Sequence, residues 1–349
     1  MTNKTIVFVN SISPQVYGGG EKWCFESAAA FIKKDYRVAL VARPDSKIME
    51  KFQELDCDIY PLVAGTDYNP VSIIRLYRYF KKINADYLIL SFNKDVTTAG
   101  VSGRLSGVEK IIFRNGYPLI NKKSRHRMMM PLYDALVCNS RALAEHYRSF
   151  GWGLEHKISV VYNGIPMREK LPVKERKPFV ILGAGRLVHV KRFHIFLDIL
   201  AMLNSHVPVK GILLGDGPEK SRLEQQALEI GAPVEFTGHV QSIEPYLRKC
   251  DLFLHTSRNE GIPNVVMEAM SNGIPVVATN AGGTSEIITD SKNGFLCTID
   301  DVEGLFQKTL RLLIDKELRH KFSQTGWETI ASKFNSCKSV EKIEHILLN

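Results

Sequence analysis

The chain reads as an α/β protein made of two doubly wound domains. Short apolar runs rich in β-branched residues alternate with amphipathic stretches along the whole sequence. That alternation is the mark of parallel strands covered by helices on both faces. The rhythm stops once, around 165–178, and then restarts. At 349 residues the chain also exceeds one average core and suits two domains of ordinary size.

In the first half, strands are expected at 5–9, 38–41, 59–62, 87–90, 110–113, 135–138 and 158–162. Amphipathic helical stretches lie between them, for example 21–33, 71–82 and 141–150. Pro166, Pro172 and the charged run Lys174-Glu175-Arg176-Lys177 then read as an exposed linker. Further strands are expected at 179–182, 211–214, 234–237, 252–255 and 275–279. In doubly wound sheets ligands sit at the carboxyl ends of the strands, so chemistry is to be sought in the loops that follow them.

Composition excludes several classes. A 44% hydrophobic and 24% charged chain is globular rather than disordered. No run of eighteen apolar residues is present to span a bilayer, and the first segment lacks the long apolar stretch of a signal peptide. A cytoplasmic protein is expected. The six scattered cysteines form no Cys-x-x-Cys pair, which favours reduced, buried thiols over disulfides or zinc. The net charge of +9 is uneven. Residues 1–177 hold 28 Lys and Arg against 17 Asp and Glu, whereas 178–349 hold 18 against 20. The excess points to an anionic partner of the first half. No helix-turn-helix, RNP or zinc-finger pattern accompanies it, so nucleic acid is not expected.

The densest motif is Glu260-Gly261-Ile262-Pro263-Asn264-Val265-Val266-Met267-Glu268. Pro263 suits a first helical position, with Glu260 in the loop at the helix mouth and Glu268 about two turns in. Such a mouth suits a diphosphate, and flanking carboxylates suit sugar hydroxyls. An ordinary surface helix with two solvated glutamates fits the spacing equally well. Gly18-Gly19-Gly20-Glu21 opens a helix after the first strand, where glycines permit positive φ and let amides approach an anion. It departs from G-x-G-x-x-G, which disfavours a nicotinamide dinucleotide. After the first strand of the second half stand Arg186 and Lys191, a guanidinium fork and a point charge suited to phosphate oxygens.

Leu213-Leu214-Gly215-Asp216-Gly217-Pro218 and Phe236-Thr237-Gly238-His239-Val240 end two more strands, as pocket walls for a planar base or as plain turns. Gly282-Gly283-Thr284-Ser285-Glu286 is a further glycine-rich strand end, with a short helix expected to start at Glu286. The ten histidines show no H-E-x-x-H spacing, and neither a nucleophile elbow nor a P-loop is present. No metal site is expected. The stretch 121–130 joins Lys122, Lys123, Arg125 and Arg127 to three methionines. It reads either as a solvated basic loop or as a patch for an anionic membrane surface.

Taken in order, these motifs resemble the retaining nucleotide-sugar glycosyltransferases of family 4, over nearly the whole chain. The likeness runs from Gly19-Gly20-Glu21 through Asn139-Ser140, Asn163-Gly164, Gly185-Arg186-Leu187 with Lys191, Gly215-Asp216-Gly217-Pro218 and Phe236-Thr237-Gly238. It continues through the Glu260-to-Glu268 element, Gly282-Gly283 with Glu286, and Asn293-Gly294-Phe295-Leu296. The resemblance implies the GT-B architecture: two Rossmann-like domains facing across a cleft, with a last helix at about 336–348 crossing back to the first. The implied domains are 1–168 with 335–349, acceptor-binding, and 169–334, nucleotide-sugar-binding.

Arg186 and Lys191 would neutralise the leaving diphosphate, assisted by amides of Gly19, Gly20 and the stretch Gly261, Ile262, Asn264 and Val265. Glu268 would hold the ribose, Glu260 would lie at the sugar's reacting face, and main chain at His239 and Val240 would cradle the base. Glu21, Asn93 and Asp95 are acceptor-side candidates. The donor, a UDP-sugar, is a co-substrate, so no cofactor is implied, and the acceptor is a glycan or lipid-linked hydroxyl of cell-envelope polysaccharide or lipopolysaccharide. The protein would sit in the cytoplasm, peripheral to the inner face of the membrane. Two departures touch the acceptor. Ser91-Phe92-Asn93-Lys94-Asp95 stands where many members carry a histidine, and His255-Thr256-Ser257 replaces the usual Pro-Ser. A sugar-nucleotide epimerase of the same architecture and a non-catalytic binding homologue remain as rivals; NMR of donor incubated alone reveals the first, absence of turnover the second.

Overall fold

The computed structural model describes residues 4–62, 69–116, 123–153, 155–174 and 177–349. The chain divides into two compact units, Met1–Gly164 with Ser336–Asn349, and Ile165–Asn335.

The first unit holds a seven-stranded, wholly parallel sheet of order β3-β2-β1-β4-β5-β6-β7. Its strands are β1 (Thr5–Asn10), β2 (Arg37–Ala42), β3 (Asp58–Pro61), β4 (Tyr87–Leu90), β5 (Lys110–Asn115), β6 (Ala135–Cys138) and β7 (Ile158–Val160). The helices between them are α1 (Gly19–Ile32), α2 (Lys47–Phe52), α3 (Pro70–Lys82), α4 (Asn93–Asp95), α5 (Val101–Ser106), α6 (Lys123–Met129) and α7 (Arg141–Arg148). Alternation along β1 divides two cores, as the strand period requires. Val7 and Val9 join Leu76 and Phe80 of α3 and Tyr147 of α7 on one face. Ile6 and Phe8 join Trp23 and Phe31 of α1 on the other, where the C-terminal helix Ser336–Leu348 adds Val340, Ile343 and Leu347.

The second unit holds six parallel strands of order β10-β9-β8-β11-β12-β13. They are β8 (Phe179–Ala184), β9 (Val209–Leu214), β10 (Val234–Gly238), β11 (Leu252–His255), β12 (Val276–Thr279) and β13 (Phe295–Cys297). The helices are α8 (Phe193–Asn204), α9 (Lys220–Glu229), α10 (Glu244–Leu247), α11 (Asn264–Ser271), α12 (Thr284–Ile287), α13 (Val302–Ile314) and α14 (Lys316–Lys333).

Four expectations need correction. β13 was not foreseen, because three residues give too short a run to show a period. Pro263 is the N-cap of α11 rather than its first residue: its ψ of 99° is extended, so the helix begins at Asn264 and Glu268 lies little more than one turn in. α12 begins at Thr284, with Glu286 in its first turn. The glycines 18–20 adopt no positive φ; Gly18 is an extended N-cap, and Gly19 and Gly20 are already helical. Among the described residues, no helix is long and apolar enough to cross a membrane.

Candidate active site

In the second unit the strand order reverses between β8 and β11. Loops diverge at such a point and leave a crevice for a ligand. Three side chains from the two loops meet there. Lys191 Nζ lies 2.5 Å from Glu260 Oε1 as a hydrogen-bonded ion pair. His255 Nε2 lies 3.1 Å from the same oxygen. It has the distance of a hydrogen bond but not the angle, so this buried nitrogen has no hydrogen-bond partner among the described residues. Glu260 is 10% exposed and Lys191 22%. Burial pushes the Glu260 pKa up, but the hydrogen-bonding reach and charge of His255, and then Lys191, outweigh it and hold the carboxyl down at about 2.

The backbone around this cluster explains its placement. His189–Lys191 form one tight turn ending in left-handed Arg192, at φ 53°. Thr256 donates its hydroxyl to the carbonyls of Lys191 and Arg192 at 3.0 and 3.1 Å, and the Arg258 amide donates to the Val190 carbonyl at 2.9 Å. The His255-Thr256-Ser257 segment is therefore the strut under the lysine turn. Behind Glu260 the chain meets Gly282, at φ +53°, where a Cβ would lie 1.8 Å from the Glu260 carbonyl oxygen. The neighbouring Gly283 amide donates to the Gly261 carbonyl at 2.9 Å. The loop after β8 is joined in the same way: Gly185 and Leu187 amides donate to Leu214 and Asp216 carbonyls, and a Cβ on Gly215 would strike the Gly185 carbonyl at 1.9 Å. Leu213 to Pro218 is thus a main-chain seam between loops.

Arg186 is exposed, and its guanidinium has no partner among the described residues. His239 is exposed; Val240, Gly261, Asn264, Val265 and Glu268 are half-buried, and Ile262 is buried. The Val266 and Met267 amides return to the Pro263 carbonyl, closing the first turn of α11.

The strand ends of the first unit are built from acids. Glu21 is buried, taking the Gly18 amide at 2.9 Å and Asn10 Nδ2 at 3.4 Å. Asp95 is buried too, accepting from the Ser11 hydroxyl, the Phe92 amide at 3.0 Å and the Ser11 amide at 3.4 Å. The two carboxylates thus clasp the consecutive residues Asn10 and Ser11 at the end of β1, each folding the start of its own helix. Burial beside a cavity lined by Val9, Val41, Leu62 and Leu76 raises the Asp95 pKa to about 7, against the pull of Ser11. Asn93 is exposed. Beside Gly20 sits a cation that the sequence did not single out. Buried Arg114 stacks its guanidinium 4.1 Å from the Trp23 ring centroid and donates to Asn163 Oδ1 at 2.5 Å. Its signal was an arginine closing the apolar strand Ile111-Ile112-Phe113. His255 closes Leu252-Phe253-Leu254 in the same way.

Of the basic stretch, Lys122 lies outside the described residues, as do the side chains of Lys123 and Arg125, while Arg127 and Met128 are exposed. Among the described residues, no group of three or more His, Cys, Asp and Glu side chains could hold a metal ion.

The parallel sheets and their strand-end loops define a GT-B fold. Its neighbours among solved structures include Anabaena Alr3699/HepE in complex with UDP and glucose, at TM-score 0.83 and 21% identity over 99% of both chains. The model of the glycosyl transferases group 1 matches residues 167–329, and that of Glycosyltransferase Family 4 matches 17–169. The chain belongs to the GT-B glycosyltransferases of family 4. It is 31% identical over 209 residues to the lipopolysaccharide core biosynthesis glycosyltransferase LpsE of Rhizobium meliloti, a match covering 58% of this chain and 60% of that relative's length. It is 24% identical over 306 residues to the UDP-Gal:alpha-D-GlcNAc-diphosphoundecaprenol alpha-1,3-galactosyltransferase of Escherichia coli, covering 80% of this chain and 79% of the relative.

Proposed function

We propose that this protein is a retaining glycosyltransferase of cell-envelope polysaccharide or lipopolysaccharide synthesis. It moves a hexosyl unit from a UDP-sugar to a hydroxyl of a glycan or lipid-linked acceptor. The observation that carries the reading is the strand-end cluster of the second unit: a guanidinium at Arg186 without a partner among the described residues, near a lysine whose one charge partner among them is Glu260 on the loop after β11. Negative charge grows on the leaving diphosphate as the glycosidic bond breaks, and preorganised cations stabilise that charge without reorganising. Arg186 supplies a bidentate fork and Lys191 a mobile ammonium. Glu260, held ionised, faces the electron-poor sugar carbon, Glu268 takes the ribose hydroxyls, and main chain at His239 and Val240 borders the base. The names of the lipopolysaccharide and diphosphoundecaprenol relatives support the acceptor class, and the UDP held by a structural neighbour supports the donor. The test is Arg186→Ala, expected to raise the barrier by about 3 kcal/mol, roughly a hundredfold in turnover, as loss of one oxyanion donor does. Undiminished turnover refutes the role.

A membrane-bound acceptor fits exposed apolar side chains of the first unit. Val71, Ile74 and Tyr77 of α3 are 55%, 50% and 37% exposed, and Leu105 of α5 and Met128 of α6 are 64% and 73% exposed. Exposed Arg75, Arg78, Lys81 and Lys82 flank them, and α3 contains no acid. Apolar side chains framed by cations suit an anionic bilayer, and this helix face adds to the 122–127 stretch as a docking surface.

A further inference from the structure

We propose that His255 is a positioning residue: it takes over the charge of Glu260 when Lys191 turns to the donor's diphosphate, so that each donor bound draws one proton into the site. The inference rests on the reading that Lys191 meets the diphosphate. Its ground is that a single carboxylate oxygen, Oε1, faces two nitrogens at 2.5 and 3.1 Å, and the two differ in freedom. Lys191 is partly exposed and ends in a flexible stem, so it can turn outward. His255 cannot: it is 3% exposed, its ring lies nearly parallel to Phe253, and its carbonyl accepts from Thr279.

Once Lys191 leaves, an ionised carboxylate at 10% exposure is left without its partner, a state that proteins avoid by pairing or neutralisation. Of the other charged groups on these loops, Arg186 and His189 are exposed and neither is paired with Glu260, while Arg192 and Arg258 are committed elsewhere. The Arg192 guanidinium lies 3.1 Å from Asp300 and donates to the Ile299 carbonyl; Arg258 pairs with the same aspartate at 2.8 Å. The flanking strands, Phe-Val-Ile-Leu-Gly-Ala of β8 and Val-Val-Ala-Thr of β12, bring no titratable side chain. That leaves the unpartnered Nε2 of His255. As the lysine departs, the imidazole takes a proton from solvent, and a short rotation closes its 3.1 Å contact into a charged hydrogen bond.

The experiment is calorimetric titration of the whole protein with UDP, in paired buffers of different ionisation enthalpy, from pH 7 to 9. At the alkaline part of this range, from about pH 8, the diphosphate itself no longer titrates, so uptake is read there. The wild type is expected to take up close to one proton per UDP, and its affinity to fall up to about tenfold per pH unit at the alkaline end. His255→Asn, checked for folding by circular dichroism, is expected to bind UDP with no uptake and a flat pH profile. UDP binding by the wild type without proton exchange overturns the inference and leaves the donor reading standing, as does uptake that persists in His255→Asn. Failure of the wild type to bind UDP overturns both. Should the variant not fold, nitrogen-15 NMR of the wild-type histidines decides: the His255 ring is expected to become protonated at pH 8 only when UDP is added, and a ring charged or neutral in both states overturns the inference.

Discussion

Both units end their central strands in ionisable side chains, yet the two sets behave in opposite ways. In the first unit Glu21 and Asp95 are turned inward, spent on amides of their own loops and, for Asp95, on the Ser11 hydroxyl at the end of β1. In the second, Arg186 is open and Lys191 is shared between a carboxylate and the surface. The net positive excess lies in the first half of the chain, but the cations proposed to meet a diphosphate lie in the second, which is nearly neutral. Charge totals therefore describe the surface a protein shows to a partner, whereas reaction depends on a few groups left incompletely satisfied.

The contrast can be broken or sharpened by four measurements. The largest effect is expected at Gly282→Ala, where a methyl group meets the Glu260 carbonyl at 1.8 Å on a left-handed backbone. A loss of about 5 kcal/mol in chemical denaturation is expected, since neither backbone can yield; a loss under 1 kcal/mol would show that the loop behind Glu260 is soft. Next is the acid response of the first unit. Asp95 holds its proton up to about pH 7, against an unfolded value of 3.8. The folded state thus binds more protons between those values, and its contribution to stability is full below pH 3.8 and lost as pH rises to 7, about 4 kcal/mol in all. Asp95→Asn removes this slope; a variant that keeps it places the titrating group elsewhere.

In the second unit the sign reverses. Glu260 falls from 4.5 to about 2, so its contribution is present above pH 4.5 and lost as pH falls toward 2, about 3 kcal/mol. Glu260→Gln should flatten the stability of the protein over that acid range, and an unchanged acid limb would remove the ion pair from the account. The smallest effect concerns the surface. Arg78→Gln on α3 should weaken flotation with anionic vesicles by about 1 kcal/mol, roughly fivefold, with no change on neutral vesicles. Equal wild-type recovery on neutral and anionic vesicles would remove the membrane from the reading.

The strands were legible because buried parallel strands must be continuous apolar runs, and 252–255 or 87–90 can hardly be read otherwise. β13 escaped because its three residues carry no period. Pro263 misled because proline's fixed φ serves an N-cap as well as a first helical position; only ψ tells them apart. For the site, Arg186, Lys191 and Glu260 could be found from their place after strands, but not their meeting, since 69 positions separate the lysine from the glutamate. For Glu21 and Asp95, named as acceptor-side candidates, a sequence does not reveal that each carboxylate is also held by an amide three residues upstream. Arg114 and His255 went unassigned although each is a polar residue closing an otherwise apolar strand.

Beside the side-chain ties of Thr256 and Lys191, the loops bearing Arg186 and Glu260 carry three peptide-to-peptide stitches, Gly185 to Leu214, Leu187 to Asp216 and Gly283 to Gly261. No side chain takes part in those stitches, so most letters along these loops can change while the frame stays registered. Divergence in sugar and acceptor choice can therefore proceed by single substitutions, each tried on an unmoved scaffold, whereas insertions of even one residue would unpick two loops at once.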